Sequence, residues 1–170
     1  MFTLKSAAFE NGGRIPDKYA EKESVSPPLS WEDIPKGTKS FALGMADPDV
    51  PEEFQFPRVF AHWMIYNIPA GTTSLAEGAS PGKVPAGAKE LNSDFVTFKI
   101  PGFGKGYGPP WPPDSSHRYV FTLYALKTGT LDIPEEGDYV EFVKAVLPVT
   151  IQTATLIGHY GPAKTPLPGA

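Results

Sequence analysis

Apolar residues recur along this chain in short alternating runs broken by Pro and Gly, a pattern that predicts many short strands and few helices. Residues 2–9 form a first short strand, and Glu10-Asn11-Gly12-Gly13 follows as a turn, because Asn and Gly tolerate positive φ. Ser26-Pro27-Pro28-Leu29-Ser30-Trp31 is a stiff, extended segment, since adjacent prolines fix their own φ and hold their predecessors out of the helical region. Ser40–Ala46 is an apolar strand that ends at Asp47-Pro48-Asp49-Val50-Pro51, where two prolines block a continuing ladder. A strand thus delivers an acidic turn to one end of a sheet. Alternation over His62–Ile68 places His62, Met64, Tyr66 and Ile68 on one face and Trp63, Ile65 and Asn67 on the other, and Pro69-Ala70-Gly71 stops the strand.

Residues 70–94 read as a long connection without a regular element. Phe95–Ile100 predicts a short strand, and the run from Gly102 to Pro113 is rich in Gly and Pro, with the bonds before Pro110 and Pro113 as candidates for cis peptides. His117–Leu126 is dense in aromatic and β-branched residues and is the strongest strand of the chain. Helix is sparse and late: Tyr139–Leu147 has helical spacing, Pro148 breaks or kinks it, and Val149–Ile157 reads as its continuation with Gly158 as the cap. The proline-rich tail after Tyr160 is expected to fray or pack as coil. The expectation is one domain over residues 1–170, mainly β, with one or two short C-terminal helices.

Composition sharpens this picture. The apolar share of 41% suffices for one sizeable core, and 20 prolines with 17 glycines are scattered between the apolar runs as turn formers. A net charge of −4 provides no positive field for a polyanion, so nucleic-acid binding is not expected. The absence of cysteine excludes disulfides, thiolate metal sites and cysteine nucleophiles. No apolar span of membrane length, amphipathic basic helix or lipid-anchor signal is present, so a cytoplasmic location without stable membrane anchoring is expected.

Three histidines carry most of the candidate chemistry. His62 and His117 each open a strand beside a rigid loop, where one ring nitrogen can hold a structural bond while the other meets a ligand, and Asp47 at the end of a third strand can supply the carboxylate. His159 lacks such a context and reads as structural. Gly104–Gly108 places glycines at alternate positions around Lys105 and Tyr107, so its N–H groups are candidates for an anion nest, although a hairpin-like connection is the commoner use of such a loop. Arg118 alternates away from His117 and is expected to pair with Asp47 or Asp49 in a structural salt bridge. Asp49 is either a ligand contact or, by preference, a turn former. Trp111 among its prolines is the best of the tryptophans for lining an apolar entrance.

The ordered set Ser26-Pro27-Pro28-Leu29-Ser30-Trp31, Thr38-Lys39-Ser40, Asp47-Pro48-Asp49-Val50-Pro51, His62-Trp63, Gly106-Tyr107-Gly108-Pro109-Pro110 and His117-Arg118-Tyr119 resembles the phosphatidylethanolamine-binding protein family, its prokaryotic branch above all. Leu156-Ile157-Gly158-His159-Tyr160 resembles that family's helical ending. The resemblance implies a β-fold of two antiparallel sheets with an anion pocket near one end. It implies ligand-binding roles for Asp47, His62, Pro110, His117 and Tyr119, with Asp49, Gly108 and Trp111 at the pocket rim. Pro109 and Trp111 depart from the family pattern and should narrow or stiffen the mouth. The expected function is binding of a small anion or phosphorylated headgroup, with regulation of a kinase or protease partner as its biological extension and no cofactor. The alternative is a metal-dependent or hydrolytic enzyme using Asp47, His62 and His117. Against it stand the lack of a serine nucleophile elbow and of a His-x-x-x-His or Glu-x-x-His pair on the helix.

Overall fold

The computed structural model describes residues 1–51 and 59–169. Strands β1 (Thr3–Lys5), β2 (Leu29–Glu32) and β5 (Ser74–Leu75) form one antiparallel sheet in the order β1-β2-β5. A second antiparallel sheet has the order β6-β4-β3-β7-β8, with β3 at Ser40–Asp47, β4 at Phe60–Pro69, β6 at Lys89–Glu90, β7 at His117–Leu126 and β8 at Thr150–Tyr160. Leu4, Leu29, Trp31 and Leu75 from the small sheet, with Phe2 just before it, pack against Phe41, Leu43, Trp63, Ile65, Phe121 and Leu123 from the large one. The main core therefore lies between the sheets, as the alternating pattern requires.

The outer face of the large sheet is covered by helix α2 (Tyr139–Val146), which Asp138 caps by accepting the Glu141 N–H at 3.1 Å. Phe142 and Val146 of this helix are fully buried and share a cluster with Ala42, Met64 and Tyr66. Gly44 leaves room for the Phe142 ring, which a Cβ there would meet at 3.5 Å.

Three elements depart from the sequence expectation. Val149–Ile157 does not continue the helix: after a 3-10 turn at Leu147–Val149 the chain becomes β8, which pairs with β7 along its whole length. Ile151, Thr153, Thr155 and Ile157 are β-branched and favour a strand, while Ala154, Leu156 and Tyr160 face inward at a period of two. The ending read as helical, Leu156–Tyr160, is thus strand. Phe95–Ile100 is not a strand: Asp94–Thr97 forms a short helix, α1, whose Asp94 carboxylate accepts the Ala61 N–H at 2.8 Å and whose Phe95 drops into an apolar cluster with Phe60 and Trp111. Tertiary anchoring overrides the local strand propensity there. The connection over residues 70–94 contains the two short strands β5 and β6. Among the described residues the cis bonds lie at Ser80–Pro81 and Gly161–Pro162, not before Pro110 or Pro113.

Strand β4 carries two irregularities that alternation alone does not foresee. Phe41 pairs with Ile68 and Leu43 with Ile65, so Asn67, at φ 57°, is part of an extra residue's worth of chain on β4. Asn67 donates to the Leu131 carbonyl at 3.4 Å and accepts the Leu131 N–H at 2.7 Å. The bulge brings Ile68 to the same core as Ile65, correcting its expected place beside Tyr66. The second irregularity lies at His62.

Candidate ligand-binding site

Met45 pairs with Trp63 and Ala46 with Ala61, which leaves His62 as the surplus residue of a bulge. Strict alternation would send His62 to the face of Met64 and Tyr66. The bulge turns it to the opposite face, where its ring meets Tyr119 edge-on at 5.1 Å, Phe95 at 5.4 Å and Phe60 at 4.9 Å. His117 and Tyr119, two residues apart on β7, come to the same face by simple alternation. Asp47, the last residue of β3, completes the set. All four side chains are buried.

They line a cavity of about 360 Å³ whose walls are apolar: Phe60, Phe95, Phe98, Ile100, Trp111 and Leu167 surround a floor that contains Asp47, His62 and His117. Phe95 stacks on Phe103 at 4.1 Å, and Trp111 donates its indole N–H to the Thr165 carbonyl at 2.9 Å, which fixes the tail residues as one wall. A few polar groups at the base of an apolar cleft are the usual composition of a small-molecule site.

The polar floor has two unlike histidines. His117 donates from Nδ1 to Asp47 Oδ2 at 2.6 Å and from Nε2 to Asp114 Oδ1 at 2.8 Å. Burial works against its charge, but the bonds to Asp47 and Asp114 outweigh it and raise the pKa above the ordinary histidine value. His117 is an imidazolium held between two carboxylates. Asp47 in turn accepts the Asp49 N–H at 2.7 Å through its other oxygen. His62 donates from Nδ1 to the Gly108 carbonyl at 2.9 Å, and burial lowers its pKa. It is therefore neutral at pH 7, with Nε2 as an acceptor. Burial also pushes the Tyr119 phenol well above its ordinary value, so that it stays protonated.

The remaining candidates divide. Trp111 lines the cavity, though buried beneath the tail and not exposed at an entrance. Asp49 faces Arg118, which donates from Nε at 2.9 Å, from Nη2 at 2.7 Å and from its backbone N–H at 2.8 Å. This bidentate bond lowers the Asp49 pKa despite partial burial, and of the two partners expected for Arg118 the structure selects Asp49. Gly108 sits behind His62: its carbonyl accepts from the His62 ring, and its N–H donates to the His62 carbonyl at 2.7 Å. Pro110 lies outside the cavity lining, and its carbonyl accepts the Glu21 N–H at 2.9 Å. The candidate nest at Gly104–Gly108 is not formed, in keeping with the preferred reading of a plain connection, because the N–H groups of Gly106, Tyr107 and Gly108 donate to Leu91, Ser80 and His62.

Asp114, the aromatic residues of α1 and the tail wall were not singled out by sequence. Asp114 lies three residues before His117, a spacing that gives a local hint, whereas Leu167 and Phe95 reach the site only through tertiary packing. Among the described residues, no group of three or more His, Asp or Glu side chains is placed to hold a metal, and no helix is long and apolar enough to cross a membrane.

A family model described as phosphatidylethanolamine-binding protein matches residues 5–161. A relative from Methanothermobacter thermautotrophicus, named only as a UPF0098 protein, is 39% identical over 159 residues, covering 92% of this chain and 97% of the relative. The UPF0098 protein YbhB of Escherichia coli is 34% identical over 142 residues, covering 78% and 82%. Among solved structures, a phosphatidylethanolamine-binding protein homologue from Chlamydia trachomatis superposes with a TM-score of 0.80 at 35% identity, over 95% of this chain and 97% of that one. Escherichia coli YbcL, described as a member of the mammalian family, gives a TM-score of 0.82 at 29% identity, over 95% and 98%.

Proposed function

The chain belongs to the phosphatidylethanolamine-binding protein family, in its prokaryotic branch, and from that premise we propose that its cavity binds a small oxyanion, a phosphate group above all, carried by a ligand with an apolar part. The observation that carries this reading is the His117 imidazolium, held against Asp47 at the floor of an apolar cleft. A buried imidazolium in a water-poor pocket favours an anion, to which it can give a charge-assisted hydrogen bond in place of one it gives a carboxylate of the protein. His62 complements it by accepting a hydrogen bond at Nε2 from the hydroxyl of a phosphate monoanion, a species abundant near the second phosphate pKa of about 6. Asp47 orients His117 alone, and the Gly108 carbonyl fixes the tautomer of His62.

Inorganic phosphate alone makes few contacts here, and its desolvation offsets much of the gain, so millimolar affinity, about −4 kcal/mol, is expected. An apolar substituent against Trp111 and Phe98 adds affinity by burying surface. In this reading the site binds and does not turn over. A kinase or protease partner is suggested by the family alone. Titration of phosphate, phosphoethanolamine and phenyl phosphate, followed by thermal shift, tests the proposal. Anions should raise the melting temperature of the wild type and not of His117→Ala. Equal shifts in both proteins, or none in either, would remove the anion reading, and a drop on adding chelator would point to a metal instead.

A further inference from the structure

Asp114 lies on the bend between Pro113 and β7, and its carboxylate accepts the Nε2–H of His117. The other ring nitrogen is bonded to Asp47, so both proton donors of the imidazolium are occupied by carboxylates of the protein itself. An oxyanion entering the cavity meets a cation with no donor to spare. The two carboxylates are not equivalent, however. The Asp47 side chain is 5% exposed and lines the cavity, whereas that of Asp114 is 41% exposed and adjoins Pro113 of the lining without itself lining the cavity. The second oxygen of Asp114 accepts a long bond of 3.3 Å from the neighbouring Ser115 hydroxyl, and the backbone N–H groups of Asp114 and Ser115 also favour its carboxylate.

We propose that Asp114 is an internal stand-in for the ligand: a tethered carboxylate that occupies the oxyanion position on His117 and swings into solvent when a ligand's oxyanion binds. This inference rests on the anion-binding reading and assigns an affinity-setting residue to the same site. The exchange replaces one anion by another, so His117 never presents an unpaired proton donor in a dry pocket. With Asp47 and Asp114 ionised and His117 protonated, the closed site carries one net negative charge, and an incoming monoanion restores that balance as Asp114 leaves.

The tether also sets an affinity threshold that every ligand must pass. Apparent affinity falls by the fraction of molecules in which Asp114 is open, and a charge-assisted bond at a partly exposed position supports a closed-to-open ratio of about ten. Small free anions face a competitor of high effective concentration and gain nothing else. A ligand with an apolar substituent adds contacts with Trp111 and Phe98, which Asp114 does not make, and so overcomes it.

Calorimetric titration of inorganic phosphate and phenyl phosphate into wild type, Asp114→Ala and Asp114→Ser tests the idea. The serine variant preserves local turn bonding and guards against a folding defect in the alanine variant. Both variants should bind both probes about tenfold more tightly than wild type, with the gain lost when His117→Ala is added. Binding by wild type that is matched or weakened in both variants overturns the stand-in role and leaves the anion reading in place. Absence of binding to all three proteins overturns the anion reading itself, and the stand-in with it.

Discussion

Glu21→Gln is expected to detach the C-terminal tail and open one wall of the cavity. Glu21 is buried, and its Oε1 accepts from the Thr165 N–H at 2.8 Å and the Thr165 hydroxyl at 2.6 Å. Its Oε2 accepts from the Lys164 N–H at 3.0 Å and from the Tyr160 hydroxyl. Each carboxylate oxygen thus serves one backbone N–H. A glutamine amide, in either orientation, turns its NH2 toward one of them and loses at least that bond together with the charge. Hydrogen bonds to a charged group contribute about 1.5–3 kcal/mol each, so the loss should be about 2–3 kcal/mol. Gln keeps the shape and the left-handed backbone at residue 21, where φ is 50°, so the substitution isolates the acceptor chemistry.

The effect should be local, because the tail can leave without unfolding the sheets. Amide hydrogen exchange at Lys164 and Thr165 is the appropriate assay, and 2 kcal/mol corresponds to about thirtyfold faster exchange. Burial would raise the Glu21 pKa, but the bonds from Lys164, Thr165 and Tyr160 outweigh it and lower it. With a depressed folded pKa, the stabilisation is fully present above the unfolded value of about 4.3 and is lost as pH falls through the folded value. The difference between wild type and variant should therefore shrink in acid. Equal exchange rates at neutral pH would refute the argument that Glu21 latches the tail.

Two further outcomes are expected. The raised pKa of His117 contributes stability that is complete below its unfolded value of about 6.5 and is lost as pH rises through the folded value. Asp47→Asn should lower the midpoint of the His117 imidazole titration measured by NMR, and an unchanged midpoint would contradict the pairing. Gly108→Ala should cost about 1–3 kcal/mol in urea denaturation with an unchanged m-value, because its Cβ would lie 2.7 Å from Phe95 Cδ2 and 3.0 Å from Ser93 Oγ. Wild-type stability in that variant would show that the Phe95 wall yields freely.

Much of the site was legible because its residues stand at strand ends beside rigid loops. Asp47 and His117 flank proline-rich segments, and simple alternation places Tyr119 with His117, so local chemistry and spacing sufficed. His62 was identified but assigned to the wrong face, because a bulge is defined by pairing with β3 and leaves no mark in a sequence of seven residues. The misreading of β8 as helix has a similar origin. Its alternation became decisive only alongside β7, whereas Pro148 and the preceding helical spacing suggested continuation. The latch between Glu21 and Thr165 spans 144 residues, a separation at which local patterns carry no information.

The bulge at His62 also limits how portable this pocket is. Copying Asp47, His62, His117 and Tyr119 onto a regular antiparallel sheet would preserve every side chain and still fail, because the imidazole of His62 would emerge on the far side. What must be transplanted is a phase shift in the backbone, and relatives or designs that lose one residue between Phe60 and Trp63 would keep a pleated strand while forfeiting one of the two histidines.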